Sequence, residues 1–164
     1  MVWRWLIMIG TACCCLSCTS VISSEVRAQV APQISYADIA QNPEAYIGII
    51  IVAAGTIIDA KNLQEGTRLE VLQYPATSRG RPETGKPSGG RFLVLTSEYL
   101  ETAIYRPGRS ITVAGEVSGQ QALPLGGTTY RYPVFVPREI HLWSEGNRGP
   151  QLHIGFGFGF SKNF

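Results

Sequence analysis

The chain has 164 residues, which suits one domain of ordinary size rather than two. Its 45% hydrophobic and 16% charged residues exclude a disordered polyelectrolyte and a coiled coil, and its 18 Gly and 10 Pro interrupt helices too often for a helical bundle. With 14 basic and 12 acidic residues the formal net charge is +2, which excludes a strong overall field for nucleic acid or an anionic surface.

The N-terminus resembles a secretory signal. Arg4 is followed by an apolar run from Trp5 to Leu16 and by the small residue Ser17, and this run is too short to span a bilayer. We therefore predict that residues 1–17 are a signal peptide that is removed. All 4 cysteines lie in or directly after this segment, at Cys13, Cys14, Cys15 and Cys18.

The position of the cysteines indicates lipidation. A bacterial lipoprotein signal ends directly before a cysteine whose thiolate accepts diacylglycerol, and small residues precede that cysteine. Cys18 fits this pattern best and Cys13 is the alternative, although Cys15 stands where Leu is usual; an ordinary signal peptide with incidental cysteines remains the other interpretation. Two or three acyl chains would anchor a soluble domain firmly.

The residues after Cys18 predict the localisation of the protein. The next residue is Thr19 and not Asp, which by the sorting habit of Gram-negative lipoproteins implies the outer membrane, with the body facing the periplasm. Residues 18–33 have no clear hydrophobic period, so we expect a lipidated N-terminus and tether with little ordered structure.

The body of the chain, 34–145, begins with a helix signal. Ser35 and Asp38 have the spacing of a capping box and predict a helix from Tyr36 to about Gln41, which the Asn42-Pro43 pair ends. The apolar run IIIVAAGTIID that follows predicts a buried strand with a bend at Gly55 and with Asp59 in a turn.

Alternating residues predict the remaining strands. TRLEVLQY, RFLVLTS, SITVAGEV and TYRYPVFVPREIHLW have strand character, with a hairpin at Gly126-Gly127 and with Pro133 and Pro137 at a sheet edge. We expect a long mobile loop at Pro75–Gly90 and a short helical turn at Glu98–Ile104. The predicted fold is all-β: a small antiparallel β-barrel, OB-fold-like, with one or two short helices.

The ordered set of these stretches resembles the Slp family of outer-membrane lipoproteins. The resembling stretches cover roughly residues 13–143. The resemblance implies a lipid-anchored envelope protein associated with stationary phase and stress, whose biochemical activity is not established. The stretches are the lipobox at Cys18, Asn42-Pro43 to Gly48, Gly55, GTRLEVLQYP, GRFLV, YRPGR with ITVAG, and YPV leading to Trp143.

The body offers no catalytic constellation. After the predicted signal peptide the chain has two histidines, His141 in the body and His153 in the tail, which lack partners at metal-ligand spacing. Its two aspartates, Asp38 and Asp59, are assigned to a cap and a turn. We expect His141 to share a strand face with Trp143 or the solvent. We therefore predict a protein that is not an enzyme and has no cofactor or metal.

Three other features are candidates for contact. A basic loop could meet lipid phosphates, lipopolysaccharide or nucleic acid, or could simply be solvated, and because no aromatic residues interleave with it we predict no nucleic-acid partner. Tyr130 and Tyr132, with Val134, form either an exposed binding face or core packing. The loop residues are Arg79, Arg81, Lys86 and Arg91.

The third feature is the Gly/Phe-rich tail of residues 146–164. Its alternation of Gly with Phe156, Phe158 and Phe160 would place all three rings on one side of a strand. The rings suit a membrane interface or the sheet edge of a partner, and packing on the barrel or disorder remain the alternatives.

Together these features predict an outer-membrane-anchored lipoprotein with a structural or interaction role in the cell envelope. Its partners would be the membrane, through the lipid, and an envelope protein. The alternative is a periplasm-facing binding module whose OB-type face holds an oligosaccharide, a peptidoglycan fragment or a small molecule.

Overall fold

The computed structural model describes residues 20–145, so Cys13, Cys18, His153 and the Gly/Phe tail lie outside the described residues. Five strands form a closed barrel in the order β1-β2-β3-β5-β4, which confirms the predicted OB-like, all-β fold. The strands are β1 Ile50–Leu63, β2 Gly66–Tyr74, β3 Gly90–Thr96, β4 Ser110–Leu125 and β5 Thr128–Leu142.

β1 pairs with two neighbouring strands, and Gly55 lies in the short part of β1 that pairs with both. β1 pairs with β4 over Ile50–Thr56 and with β2 over Ala54–Leu63. A Cβ atom on Gly55 would lie 2.3 Å from the carbonyl oxygen of Leu72, so only glycine fits this crossing of strands.

A short parallel contact between β3 and β5 closes the barrel. Pro133 directly precedes this contact and Pro137 lies two residues after it. Both prolines are paired with β4, opposite Gln120 and Gly115, so the predicted edge position applies only to their side towards β3, where neither is paired. The contact consists of the pairs Leu93–Val134 and Val94–Phe135.

Three short helical segments precede the barrel: α1 Ser24–Arg27, α2 Tyr36–Gln41 and a 3₁₀-helix at Pro43–Tyr46. The capping box of α2 is confirmed, because the Asp38 N–H donates to Ser35 Oγ at 3.3 Å and the Ser35 N–H donates to Asp38 Oδ2 at 2.8 Å. The Ser35 hydroxyl also donates to Asp38 Oδ2 at 2.6 Å, and this hydrogen bond, together with the one from the Ser35 N–H, holds the pKa of Asp38 below its ordinary value.

The apolar side chains form two clusters. The larger fills the barrel, where the Phe92 ring meets Phe135 edge-on at 5.3 Å and Tyr36 of α2 at 5.8 Å. The smaller cluster, Leu93, Tyr132 and Val134, lies outside the barrel, because Leu93 alternates with the inward-facing Phe92. The end of the β4–β5 hairpin therefore packs on the outer face of β3.

Two local expectations need correction. The predicted helical turn at Glu98–Ile104 is present but shorter: the Tyr105 N–H donates to the Glu101 carbonyl oxygen at 2.9 Å, whereas the Leu100 N–H donates to the Thr67 hydroxyl at 2.8 Å and so lies outside the turn. Asp59 lies in β1 beside a register shift and not in a turn, since β1 continues to Leu63.

The segment expected to be a loose tether contacts the barrel. Ile22 is only 3% exposed, and the backbone N–H and hydroxyl of Ser23 both donate to the carboxylate of Glu139 on β5, the hydroxyl at 2.7 Å. Val30 forms a parallel bridge with Ile50. Ordered contacts therefore begin a few residues after Cys18.

Candidate functional site

Thr112 organises one outer wall of the barrel. Its neighbours Ile111 and Val113 point into the core, so Thr112 points outward, yet it is fully buried beneath the loop after β2. Its hydroxyl donates to the carbonyl oxygen of Gly80 at 2.7 Å and accepts from Trp143 Nε1 at 2.9 Å. One side chain thus fixes both the loop and the tryptophan. We call this surface the Trp143 wall; it comprises the outward residues of 110–114 and 139–143 and the loop residues 75–82.

Part of the loop that was predicted to be long and mobile, Pro75–Gly90, is folded back on itself. Ala76 bridges Pro82, and the backbone N–H groups of Thr77 and Gly80 donate to Arg81 and Thr77 carbonyls at 2.9 and 2.8 Å. Gly80 has a φ of +92°, which favours glycine at this turn. The loop therefore presents Arg79 and Arg81 from a hydrogen-bonded turn.

A cavity opens on this wall between the loop and the tryptophan ring. Its volume is about 360 Å³. The Arg81 guanidinium carbon lies 5.2 Å from the centre of the Trp143 ring, a cation–π arrangement. The lining residues are Thr77, Ser78, Arg79, Arg81 and Trp143.

His141 shares the face of Trp143, as the alternation predicts. Its ring meets the indole edge-on at 4.7 Å. Within the described residues 20–145, no three His, Cys, Asp or Glu side chains lie close enough together to hold a metal ion.

Both ends of the described chain meet at the Trp143 wall. A Cβ on Gly80 would lie 3.1 Å from a methyl group of Val21, so the N-terminal segment runs beside the loop. At the other end, Arg109 Nη2 donates to the Trp143 carbonyl oxygen at 2.9 Å, and Arg106 pairs with Glu145. The described residues therefore end beside the same wall.

A second surface, which we call the Tyr132 wall, comprises the outer faces of β2 and β3 and the hairpin residues 118–132 packed on them. Glu70 Oε1 lies at its centre and accepts from Arg91 Nη1 at 2.8 Å and from the Tyr132 hydroxyl at 3.1 Å. The hydrogen bond to Glu70 raises the pKa of Arg91. Burial is the main cause that raises the pKa of Tyr132, and the hydrogen bond from its own hydroxyl to Glu70 is the second.

Tyr130 and Tyr132 were expected either to form an exposed binding face or to pack, and in the structure they pack. Tyr132 is 1% exposed, and the Tyr130 hydroxyl accepts from the Arg91 N–H at 3.1 Å. The rings contact each other edge-on at 4.6 Å. Hydrophobic packing and satisfied hydrogen bonds thus occupy the face that the binding-module alternative needs.

The structure divides the predicted basic loop. Arg79 and Arg81 flank Gly80 on the Trp143 wall, whereas Lys86 pairs with Glu83 at 2.8 Å and Arg91 lies in β3 on the Tyr132 wall. Sequence reasoning did not include Trp143 or Thr112 in a site, and the alternation of Trp143 with His141 was the one available signal.

Barrel closure and strand order define this chain as a β-barrel of the OB type. Among solved structures it is similar to the mitochondrial single-stranded DNA binding protein Rim1 of S. cerevisiae, at 12% identity and a TM-score of 0.38 over 59% of this chain and 96% of that one. It is also similar to the small single-stranded DNA-binding protein of Streptomyces coelicolor, at 16% identity and a TM-score of 0.36 over 58% and 94% of the two chains.

Sequence comparison gives the family. The model of the outer membrane lipoprotein Slp family matches residues 15–156, so the chain belongs to that family and the predicted resemblance is confirmed. A lipoprotein of Escherichia coli named YeaY is 28% identical over 160 residues, or 87% of this chain and 82% of that protein. The outer membrane protein Slp of Escherichia coli is 25% identical over 130 residues, or 78% and 69% of the two chains. In the part of the chain that the structure describes, no helix has the length and apolar character needed to cross a membrane.

Proposed function

We propose that Cys18 carries the lipid anchor and that the barrel acts on the periplasmic side of the outer membrane, in a structural or interaction role. The family match starts at residue 15 and so includes Cys18 but not the alternative, Cys13, which supports the choice. The family's association with stationary phase and stress suggests that this role matters when the envelope is under stress.

The observation that carries the proposal is the short link between anchor and barrel. Ile22 is 3% exposed and therefore belongs to the packed body. The backbone from Cys18 to Ile22 spans at most roughly 14 Å even when fully extended. The anchor would therefore hold the barrel against the bilayer surface, where it can contact lipid or another envelope protein.

The binding-module alternative has less support from the geometry. An open OB-type face would need accessible apolar or aromatic side chains, but Leu93 is 0% and Tyr132 1% exposed on the Tyr132 wall. The hairpin of the chain itself covers this surface. Contact with a ligand through that face would require the hairpin to move away.

Labelling with radioactive palmitate tests the anchor. Cys18→Ser should abolish the label and release the protein from the outer-membrane fraction after alkaline extraction, whereas Cys13→Ser should leave both unchanged. Label that persists in the double variant would overturn the proposal, and loss of label in Cys13→Ser alone would move the anchor to Cys13. Protease digestion of cells with an intact or a permeabilised outer membrane tests the orientation, because a periplasmic barrel is cleaved only after permeabilisation.

A further inference from the structure

We propose that the Trp143 wall docks onto anionic phospholipid in the leaflet that carries the anchor. This inference rests on the proposed acylation of Cys18 and adds the orientation of the barrel to it. Three features of the wall support it: cations that form no ion pair among residues 20–145, a tryptophan with a satisfied N–H group, and the position of both ends of the described chain.

The cations of this wall are available for phosphate. Arg79 and Arg81 are exposed, and within residues 20–145 neither makes an ion pair. Guanidinium groups bind phosphate oxygens through paired N–H donors. The cavity of about 360 Å³ between them and Trp143 leaves room for a phosphate headgroup.

Trp143 suits the interface between lipid and water. Its Nε1–H already donates to Thr112, so docking would not require the indole to find another acceptor. The half-buried ring faces the cavity, where Arg81 lies over it. Tryptophan is enriched at membrane interfaces because it joins a large apolar ring to one polar group.

The chain ends bring the anchor to this wall. Val21 lies beside Gly80, between the two arginines, and the backbone from Cys18 to Val21 spans at most roughly 11 Å. The acyl chains and the two guanidinium groups are thus expected to meet the same patch of bilayer. Because the anchor makes docking intramolecular, two cations suffice where a free protein would need more.

Fluorescence of Trp143 tests the proposal on the full acylated protein in vesicles. Of the 3 tryptophans, the other two, Trp3 and Trp5, lie in the predicted signal peptide, so Trp143 alone reports. We expect quenching by spin-labelled lipid, and protection from acrylamide, in phosphatidylcholine vesicles containing phosphatidylglycerol but not in phosphatidylcholine alone. Each arginine near an anionic surface contributes about fivefold, so Arg79→Gln with Arg81→Gln should lower the ratio of docked to undocked protein by about thirtyfold.

The matched control removes the same charge elsewhere. Arg68→Gln with Arg131→Gln changes β2 and the hairpin, away from the Trp143 wall, and should leave the quenching unchanged. Both double variants are checked for an unchanged melting temperature. Protein that does not float with the vesicles contradicts the anchor itself. Protein that floats while Trp143 stays equally open to acrylamide in both vesicle types, or is protected equally in both double variants, overturns the docking.

Discussion

The two walls of this barrel differ in whether their charged side chains are paired within the fold. On the Tyr132 wall, Glu70 binds Arg91 and the Tyr132 hydroxyl, and the hairpin packs over the fully buried Leu93. On the Trp143 wall, the cations point to solvent from a turn that Thr112 holds in place. The Tyr132 wall pairs its half-buried charged groups within the fold, whereas Arg79 and Arg81 on the Trp143 wall are exposed and form no ion pair within residues 20–145.

The difference indicates that the side chains that stabilise the fold and the exposed side chains that are available for contact lie on different walls of the barrel. A paired, partly buried carboxylate and guanidinium contribute to a single folded arrangement, and losing either member is costly. Exposed arginines contribute little to stability, so they can be arranged for a membrane without weakening the fold. Substitutions on the two walls should therefore affect different measurements.

The largest expected effect on stability is at Leu93. Leu93→Ala removes a fully buried side chain between β3 and the hairpin, and should lower the free energy of unfolding by about 2–5 kcal/mol. Urea denaturation followed by circular dichroism measures it. Leu63→Ala, at a side chain that is 44% exposed, is the control and should change far less. Equal losses would show that the hairpin is not packed on β3.

The next effect is at the polar centre of the same wall. Glu70→Gln weakens the acceptor of Arg91 and Tyr132 and should destabilise the protein by about 1–3 kcal/mol. Glu83→Gln breaks the exposed pair with Lys86 and should cost less than about 0.5 kcal/mol. If urea titration showed that Glu83→Gln lowers the free energy of unfolding more than Glu70→Gln does, the partly buried Glu70 pair would not be the more stabilising of the two.

Thr112 tests how the loop is attached on the Trp143 wall. Thr112→Val keeps the shape but removes the donor to Gly80 and the acceptor of Trp143, at a cost of about 1–2 kcal/mol. Opening of the loop should speed trypsin cleavage after Arg79 by about fivefold or more. Thr112→Ser, which keeps the hydroxyl, should be cleaved at nearly the native rate, and equal rates for all three proteins would contradict this attachment.

Local signals made part of the fold predictable. The helix Tyr36–Gln41 with its Ser35 cap, and the hairpin at Gly126-Gly127, appear where the sequence indicates, because both depend on residues a few positions apart. Closure between β3 and β5 depends on two distant residue pairs, which local patterns do not encode. The predicted helical turn at Glu98–Ile104 is shorter than expected for a similar reason, since the hydrogen bond from Leu100 to Thr67 of β2 determines the first part of that segment.

The candidate site was less predictable than the fold. The sequence identified Arg79 and Arg81 as basic loop residues. Their position on the barrel, however, depends on the hydrogen bond from Thr112 to Gly80, two residues that are 32 positions apart. Arg91 appeared to belong with them because it is near in sequence, yet β3 carries it to the other wall. Lipidation at Cys18 stays a prediction from the sequence pattern.

A further effect on stability is expected only in alkaline solution. Burial raises the pKa of both Tyr36 and Tyr132 above 10.0, so their contribution to stability is complete below the unfolded pKa of about 10 and is lost as the pH rises towards the folded values. Thermal melts at increasing alkaline pH measure this. Tyr132→Phe should lose stability less steeply with pH than the native protein, and an identical slope would contradict the burial of that hydroxyl.

The orientation of the barrel on the bilayer can be measured most directly with two spin labels. The body contains no cysteine after Cys18, so Ser78→Cys on the Trp143 wall and Ala122→Cys on the hairpin each place one label on the acylated protein. In vesicles containing phosphatidylglycerol, the label at Ser78 should be more accessible to oxygen and less accessible to a water-soluble nickel complex than the label at Ala122. If both labels have the same aqueous accessibility, or if Ala122 is the protected site, the Trp143 wall does not face the membrane.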